Sequence, residues 1–346
     1  MPKAILFLVA FTLQIALSVP LTPIAMAEEP GPATRGLTAQ QQYQKGRESY
    51  LYLTPMSLLS AIGHYHKAIE ADKNFVPAYA GLSEAYSYLG YLLMNEKEDY
   101  EILFTSAYEN ILIALKLDGS SLETQRALAL VYLFLNRKND TRMAAIRALN
   151  IDPNDAESMC LLWEASGAKP DDPLIHKAIK INKKLVFAHL RLGRAYYYKQ
   201  DRYSKSAEHI RKALEISPQM DYAHAFLGKV FRSQGYMSKA VASYLKAIDL
   251  NPTYSSAYMD LGITFFYMGK MEECIHYQQK AISLNSRFPD TYYYLARAQE
   301  KTNQDLKAKR NFKKFLDLSA HRDRYASHVA RAKESLHRLN EGYANQ

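Results

Sequence analysis

Cysteine is scarce in this sequence of 346 residues. Cys160 and Cys274 are the only two, and they are 114 positions apart. Small secreted domains that depend on disulfides carry more cysteines at closer spacing. The composition therefore excludes a disulfide framework. Two unpaired thiols are compatible with export and do not by themselves indicate it.

Motifs for metal binding and catalysis are lacking as well. His64 and His66 stand two residues apart, and this spacing on a helix points them to different sides, so they cannot share a metal as an i, i+4 pair can. His321-Arg322-Asp323 resembles a fragment of the kinase catalytic loop, but no glycine-rich loop or metal-binding motif accompanies it. We therefore predict no cofactor, no metal site and no enzymatic activity.

The N-terminal apolar run is too short to span a membrane. Ala4 to Leu17 comprises 14 residues, whereas a transmembrane helix needs roughly 20. Lys3 precedes the run, and Ala25-Met26-Ala27 is a small-x-small cleavage sequence. Residues 1–27 are thus predicted to be a secretory signal peptide that is cleaved after Ala27, which makes the protein exported and periplasmic. An uncleaved N-terminal membrane anchor is the alternative.

The chain carries an excess of positive charge. Lysine and arginine number 44 against 35 acidic residues, a formal charge of +9, and residues 289–346 hold 12 basic against 7 acidic residues. The run from Lys307 to Lys314 has one apolar face and is predicted to be a solvated outer surface. We expect this charge to allow weak contact with an anionic surface, and nucleic-acid binding is the alternative.

Small residues recur about every 34 positions. In 221–254, Gly228, Ala240 and Ala247 occupy positions 8, 20 and 27 of the unit. Two helices cross closely only where one side chain is small, so these residues make room for larger neighbours such as Tyr244. Pro252 ends the second helix, because proline lacks an N–H and restricts the preceding residue.

The same pattern divides most of the chain into eight units. After a flexible leader at 28–41, the predicted units span 42–75, 76–121, 122–155, 156–185, 186–220, 221–254, 255–288 and 289–322. Residues 323–346 follow as a helix and tail. The apolar residues of that helix recur every three or four positions, so we predict that it covers the last unit.

Two units depart from the period. Unit 76–121 has 12 extra residues around 91–103, which lengthen its two helices or add a turn. Unit 156–185 is about four residues short and has Trp163, the only tryptophan, where a small residue is expected. We predict an irregular joint there, flexing about residues 166–174.

The residues at positions 7, 8, 11, 20, 24, 27 and 32 make the chain resemble the tetratricopeptide repeat (TPR) family over about four fifths of its length. The resemblance implies an all-α fold: a right-handed superhelix of antiparallel helix pairs, an α-solenoid, with a C-terminal capping helix. It also implies that the first helices line a concave groove that binds peptides or partner proteins. In this family, positions 2, 5, 9, 12 and 13 of each first helix face the groove.

Mapping these positions onto the sequence gives the predicted binding residues. They are Ser87, Tyr88, Leu130, Phe134, Arg194, Tyr197, Tyr198, Lys229, Arg232, Met259, Phe266, Tyr267, Tyr293, Arg297 and Lys301. Cations beside aromatic rings attract acidic or aromatic segments. The hypothesis is therefore a non-catalytic scaffold of the cell envelope that holds an acidic peptide or helix.

Alternatives remain open at this stage. The stripe of rings and cations could simply reflect a chain with 27 tyrosines. The repeats could also self-assemble, or serve as an accessory subunit of an envelope enzyme or export complex. Position 9 holds Arg194, Lys229, Ile263 and Arg297 rather than asparagine, so the carboxylate-clamp function of some relatives is not supported.

Overall fold

The computed structural model describes residues 37–94, 100–199, 202–284, 286, 288–320 and 322–344. All regular secondary structure within these ranges is helical. The predicted signal peptide, 1–27, and most of the predicted leader lie outside them. None of the helices in these ranges combines the length and apolar character needed to cross a bilayer.

The described helices form eight successive pairs and a final helix. They are α1 Ala39–Tyr50, α2 Pro55–Ala71, α3 Val76–Met94, α4 Tyr100–Asp118, α5 Leu122–Phe134, α6 Lys138–Ile151, α7 Ala156–Ala165, α8 Pro173–Ile181, α9 Val186–Tyr198, α10 Tyr203–Ile216, α11 Asp221–Ser233, α12 Met237–Leu250, α13 Ser255–Tyr267, α14 Met271–Ser283, α15 Pro289–Lys301, α16 Asp305–Ser319 and α17 Ala326–Ala344. Each helix packs on its pair mate and on the next unit, which is the arrangement of an α-solenoid.

Glycines mark the close crossings, as the sequence predicts. A Cβ added to Gly228 would lie 2.9 Å from Cδ1 of Tyr244, and one added to Gly193 would lie 2.7 Å from Cδ1 of Ile210. Both distances are shorter than van der Waals contact. In these two units the first helix therefore approaches the second only because the side chain at position 8 is missing.

A residue with positive φ makes the tight turn inside several units. Gly235 and Gly269 have φ of +79°. Asn136 and Asn303 adopt the same left-handed region, with φ of 57° and 55°. Glycine and asparagine tolerate this conformation best, which explains why they stand at these turns.

The start of α1 differs from prediction, and the insertion in unit 76–121 follows one of its two predicted alternatives. Helix α1 begins at Ala39, because the Thr38 side chain accepts from the backbone N–H of Gln41 and the Gln41 side chain accepts from that of Thr38. The predicted leader of 28–41 is therefore too long. In unit 76–121, both α3 and α4 have 19 residues, so the insertion lengthens both helices.

Trp163 is accommodated by a change in the linker that follows it. The ring is fully buried, and its indole N–H donates to the carbonyl of Lys169 at 2.8 Å. The chain turns there through Gly167 and Ala168, with φ of +102° and +49°. The apolar core continues through this joint, so the structure provides a packed connection at the segment where we predicted flexing.

The final helix covers the last unit, as predicted. A 3₁₀ turn, Asp323–Tyr325, precedes α17. The Tyr325 hydroxyl donates to Asp290 Oδ2 at 2.7 Å, and Arg338 Nη2 lies 3.1 Å from Glu300 Oε1. Ala332 and Leu339 are buried against the array.

Candidate functional site

Five charged side chains meet between the first helices of the N-terminal units. Arg126 Nε donates to Glu84 Oε1 at 2.9 Å, and Arg126 Nη1 donates to Asp155 Oδ1 at 3.2 Å. Arg47 donates to both Glu84 and Glu157. These residues, which we term the ion cluster, connect α1, α3, α5 and the start of α7.

The ion cluster is largely removed from solvent. The side chain of Glu84 is 2% exposed and that of Arg126 is 8% exposed. Burial and a carboxylate excess raise the pKa of Glu157, whereas Arg126 and Ser158 lower that of Asp155 despite its burial. Such a cluster is held by mutual hydrogen bonds, because a buried charge without a partner is costly.

Apolar residues close the rest of the N-terminal groove. Tyr50 and Leu53, from the end of α1 and the turn after it, meet Leu130, Leu161 and Phe187 around the ion cluster. A cavity of about 20 Å³ remains there, which is room for about one water molecule. The same turn is held by a residue 165 positions later in the sequence, because Ser217 Oγ donates a hydrogen bond to the carbonyl of Tyr52 at 2.8 Å.

Three of the predicted binding residues are therefore packing residues. Ser87, Tyr88 and Leu130 are buried, and the Tyr88 ring packs on Phe134 and Phe187 with ring centroids 5.7 and 6.1 Å away. Phe134, which is half-buried, also stacks on Tyr91. Their assignment to an open groove was wrong, because the first helices here are drawn together by the ion cluster.

The two halves of the array meet at Arg194 on α9. Its guanidinium donates to the hydroxyl of Tyr91 at 2.8 Å and to that of Tyr222. The nearby hydroxyls contribute to the rise in the pKa of Arg194, although its burial acts in the opposite direction. Arg194 is thus engaged with neighbouring units and is only half-exposed.

Cations and aromatic rings line the C-terminal units on the side that faces the predicted groove. Lys229 Nζ lies 5.2 Å from the centroid of the Tyr197 ring and 5.8 Å from that of Tyr198. Arg297 lies 4.7 Å and Lys301 Nζ 5.7 Å from the centroid of Phe266. We term this set the cation–tyrosine stripe: Tyr197, Tyr198, Lys229, Met259, Phe266, Tyr267, Arg297 and Lys301.

The stripe has two accessible tyrosine rings and unneutralised cations, whereas Phe266, the ring beneath Arg297 and Lys301, is buried. Tyr198 is 61% exposed and Tyr267 is 58% exposed. Among the residues that the structure describes, no carboxylate forms an ion pair with Lys229, Arg297 or Lys301. A negatively charged group could therefore approach these cations without displacing an internal partner.

Other residues predicted to line the groove are ion-paired or buried, so they cannot contact a partner as the stripe can. Arg232 forms an ion pair with Asp260 at 2.8 Å and donates to its backbone carbonyl at 2.9 Å. Tyr293 is buried beneath His328 of the cap, with ring centroids 4.4 Å apart, and Ile263 is also buried. The cation–tyrosine stripe therefore includes only some of the residues that were predicted to bind a partner.

Residues with chemical reactivity are either buried or dispersed. Cys160 and Cys274 are unpaired and fully buried. Burial raises the pKa of Cys274 to about 12. Within the described ranges, no group of three or more His, Cys, Asp or Glu side chains is arranged to hold a metal ion.

Sequence comparison matches two family profiles to the array. A profile described as "TPR repeat" matches residues 228–269, and one described as "Tetratricopeptide repeat" matches 188–220 and 255–288. Residues 188–220 and 228–288 of the protein therefore carry tetratricopeptide repeats. Curated proteins yield no sequence match.

Solved structures match the TPR array in its fold. One is described as "Crystal structure of APC/C hetero-tetramer Cut9-Hcn1"; it matches with a TM-score of 0.63 and 13% identity and covers 86% of this chain. The present chain covers 55% of that structure's chain. A second, "Crystal structure of MamA protein", has a TM-score of 0.36 and 20% identity and covers 60% of this chain and 97% of its own. The first likeness shows an α-solenoid and nothing about ligands.

The ion cluster was not predicted from the sequence. Its signal was present: Glu84 and Arg126 occupy groove positions 9 and 5 of successive TPR units, where we considered mainly aromatic residues and cations. Opposite charges at groove positions of neighbouring units predict that the units pair with each other. They do not predict an open binding surface.

Proposed function

We propose that this TPR protein is a non-catalytic scaffold that binds an acidic, extended segment of a partner protein along the cation–tyrosine stripe. The TPR fold generally serves protein–protein interaction. One observation supports the acidic partner: Lys229, Arg297 and Lys301 rest on aromatic rings and lack a carboxylate partner among the described residues.

Rings and cations contribute differently to such a complex. Exposed Tyr198 and Tyr267 supply contact area at low cost in side-chain entropy. The three cations supply attraction and orientation, and an acidic segment would replace their hydration. The stripe crosses the first helices of four successive units, because its rings lie on α9 and α13 and its cations on α11 and α15. A segment that contacts all four helices must be extended.

We also propose that the protein acts outside the cytoplasm. This part of the proposal depends on the sequence of residues 1–27 alone, where a short apolar run precedes a small-x-small cleavage sequence. N-terminal sequencing of the protein isolated from its native cells tests it. A mature chain that begins at Glu28 supports export, and an intact Met1 contradicts cleavage.

Charge reversal tests the stripe directly. We expect the triple variant Lys229→Glu, Arg297→Glu, Lys301→Glu to lose partner capture in a crosslinking pulldown from native envelope extracts. Arg232 is left unchanged, because its loss would leave Asp260 without its ion-pair partner. Wild-type capture should also weaken as salt rises, since exposed charges are screened.

A matched control reverses the same charge elsewhere. Lys307→Glu, Lys313→Glu, Lys314→Glu changes three exposed lysines on α16, outside the stripe. This variant should capture the partner as well as wild type does. Equal capture by both triple variants would reject the stripe as the binding site.

A further inference from the structure

The outer face of α4 differs from the outer faces of the other second helices. Position 26 of the unit is basic in seven units: Lys67, Arg147, Lys177, Lys212, Lys246, Lys280 and Lys314. In the second unit this position is Ile113. A regular outward-facing cation has thus been replaced by an apolar side chain at one place in the array.

Ile113 belongs to an exposed apolar surface. Its side chain is 41% exposed, Leu112 beside it is 47% exposed, and Tyr108 and Leu117 at the margins are 52% and 39% exposed. These four residues cluster on one helix rather than being scattered singly. Clustered apolar exposure of this kind marks interaction surfaces.

Two opposite charges stand symmetrically about the apolar centre. Glu109 lies three residues before Leu112, and Lys116 lies three residues after Ile113. The two are seven residues apart, so they share one face of α4. Both are exposed, and neither forms an ion pair within the part of the chain that the structure describes.

This arrangement is complementary to itself. In an antiparallel contact between two copies of α4 related by a two-fold axis between residues 112 and 113, Glu109 of each copy faces Lys116 of the other. Leu112 and Ile113 then pack on their symmetry mates on either side. A two-fold interface requires this property, because the same surface serves both partners.

We propose that the outer face of α4 is a homodimerisation surface, with a second copy of this chain as its occupant. The contact comprises one helix face from each copy, so the dimer is of the weak, reversible class. It uses the second TPR unit and leaves the cation–tyrosine stripe of the C-terminal units unoccupied. The proposal is therefore independent of the proposed function.

Charge exchange provides the test. Sedimentation velocity of the full chain, at protein concentrations from about 1 to 200 µM, should show a monomer–dimer equilibrium. Glu109→Lys and Lys116→Glu should each raise the dimer Kd by at least about tenfold, because like charges then face each other. The double exchange Glu109→Lys, Lys116→Glu should restore the wild-type Kd to within about threefold, since it re-forms both pairs.

Leu112→Glu and Leu245→Glu form a matched pair of variants. Both leucines occupy position 25 of their units and are similarly exposed, at 47% and 42%, but Leu245 lies on α12. We expect only Leu112→Glu to abolish dimerisation. A monomer throughout the concentration range, or a dimer that none of the α4 variants weakens, would overturn the proposal, as would α4 variants that abolish capture of a different protein by a monomeric chain.

Discussion

At the residue scale, several helix crossings of the array pair a tyrosine ring with a missing side chain. Tyr65 is fully buried against Gly46 of α1 and Gly81 of α3, and a Cβ added to Gly81 would lie 2.7 Å from its Cζ. Burial raises the pKa of Tyr65 well above its ordinary value, so the ring stays neutral. A close crossing therefore depends on the ring and on both glycines.

The pair of Gly228 and Tyr244 makes this dependence measurable. Gly228→Leu should lower the free energy of unfolding by about 1 to 3 kcal/mol, because the new side chain must displace a fully buried ring. Urea denaturation followed by circular dichroism measures the change. Gly63→Leu is the control: Gly63 lies in α2 with no heavy atom within 4 Å of an added Cβ. Equal stability of the two variants would contradict the packing argument.

At the element scale, helices α9 and α10 are joined by two histidines. The Nδ1 atoms of His189 and His209 lie 3.2 Å apart, and His189 Nε2 lies 3.2 Å from the carbonyl of Lys183. If the Nε2–H of His189 donates to that carbonyl, its Nδ1 is free to accept from His209. Burial, with help from His189 and Lys212, lowers the pKa of His209 to about 4.

A lowered pKa makes the stability of this helix pair sensitive to acid. The pKa of histidine in the unfolded chain is near 6.5. The contribution of His209 to the free energy of unfolding is therefore fully present above about pH 6.5 and is lost as the pH falls towards 4. We expect His209→Gln to reduce the difference between the urea midpoints measured at pH 7.5 and pH 4.5. His276→Gln, at an exposed position, should leave that difference unchanged. An undiminished difference in His209→Gln would refute the assignment.

Elements inside one unit were more predictable than contacts between distant units. Gly193, Gly228 and Gly262 were assigned from a 34-residue pattern, because a crossing within a helix pair involves residues close in sequence. The groove around Ser87 and Tyr88 was misassigned, because its closure depends on Arg47 meeting Glu157, 110 residues away. The burial of the Trp163 side chain at a position for small residues was also unpredictable, since it depends on a backbone turn that Gly167 and Ala168 adopt together.

At the scale of the whole molecule, the ion cluster ties together units that a simple stack would leave independent. A TPR unit ordinarily contacts only its neighbours. Here Arg47 of the first unit reaches Glu157 of the fourth, and Tyr52 is bonded to Ser217. One continuous core extends from Tyr43 to Leu261, and a second, from Ile263 to Leu339, includes the cap.

Removal of one charge from the cluster should therefore act over several units. Glu84→Gln leaves two guanidiniums with a weaker partner in a buried site, and loss of one member of such a group costs about 3 to 5 kcal/mol. Hydrogen exchange should show faster opening of α1, α3 and α5 together. Asp249→Asn, which disrupts an exposed ion pair with Lys246, is the control and should leave exchange unchanged. Faster exchange confined to α3 would contradict the coupling of units.

The hydrogen bond between the Ser217 side chain and the Tyr52 carbonyl has a mechanical consequence. Stacked helix pairs behave as a spring, because small rotations at each interface add up along the chain. A tether across 165 residues prevents those rotations from adding up in the first half of the array. Elastic stretch is then confined to the units beyond Ser217, which carry the exposed Tyr267 and the three cations of the stripe.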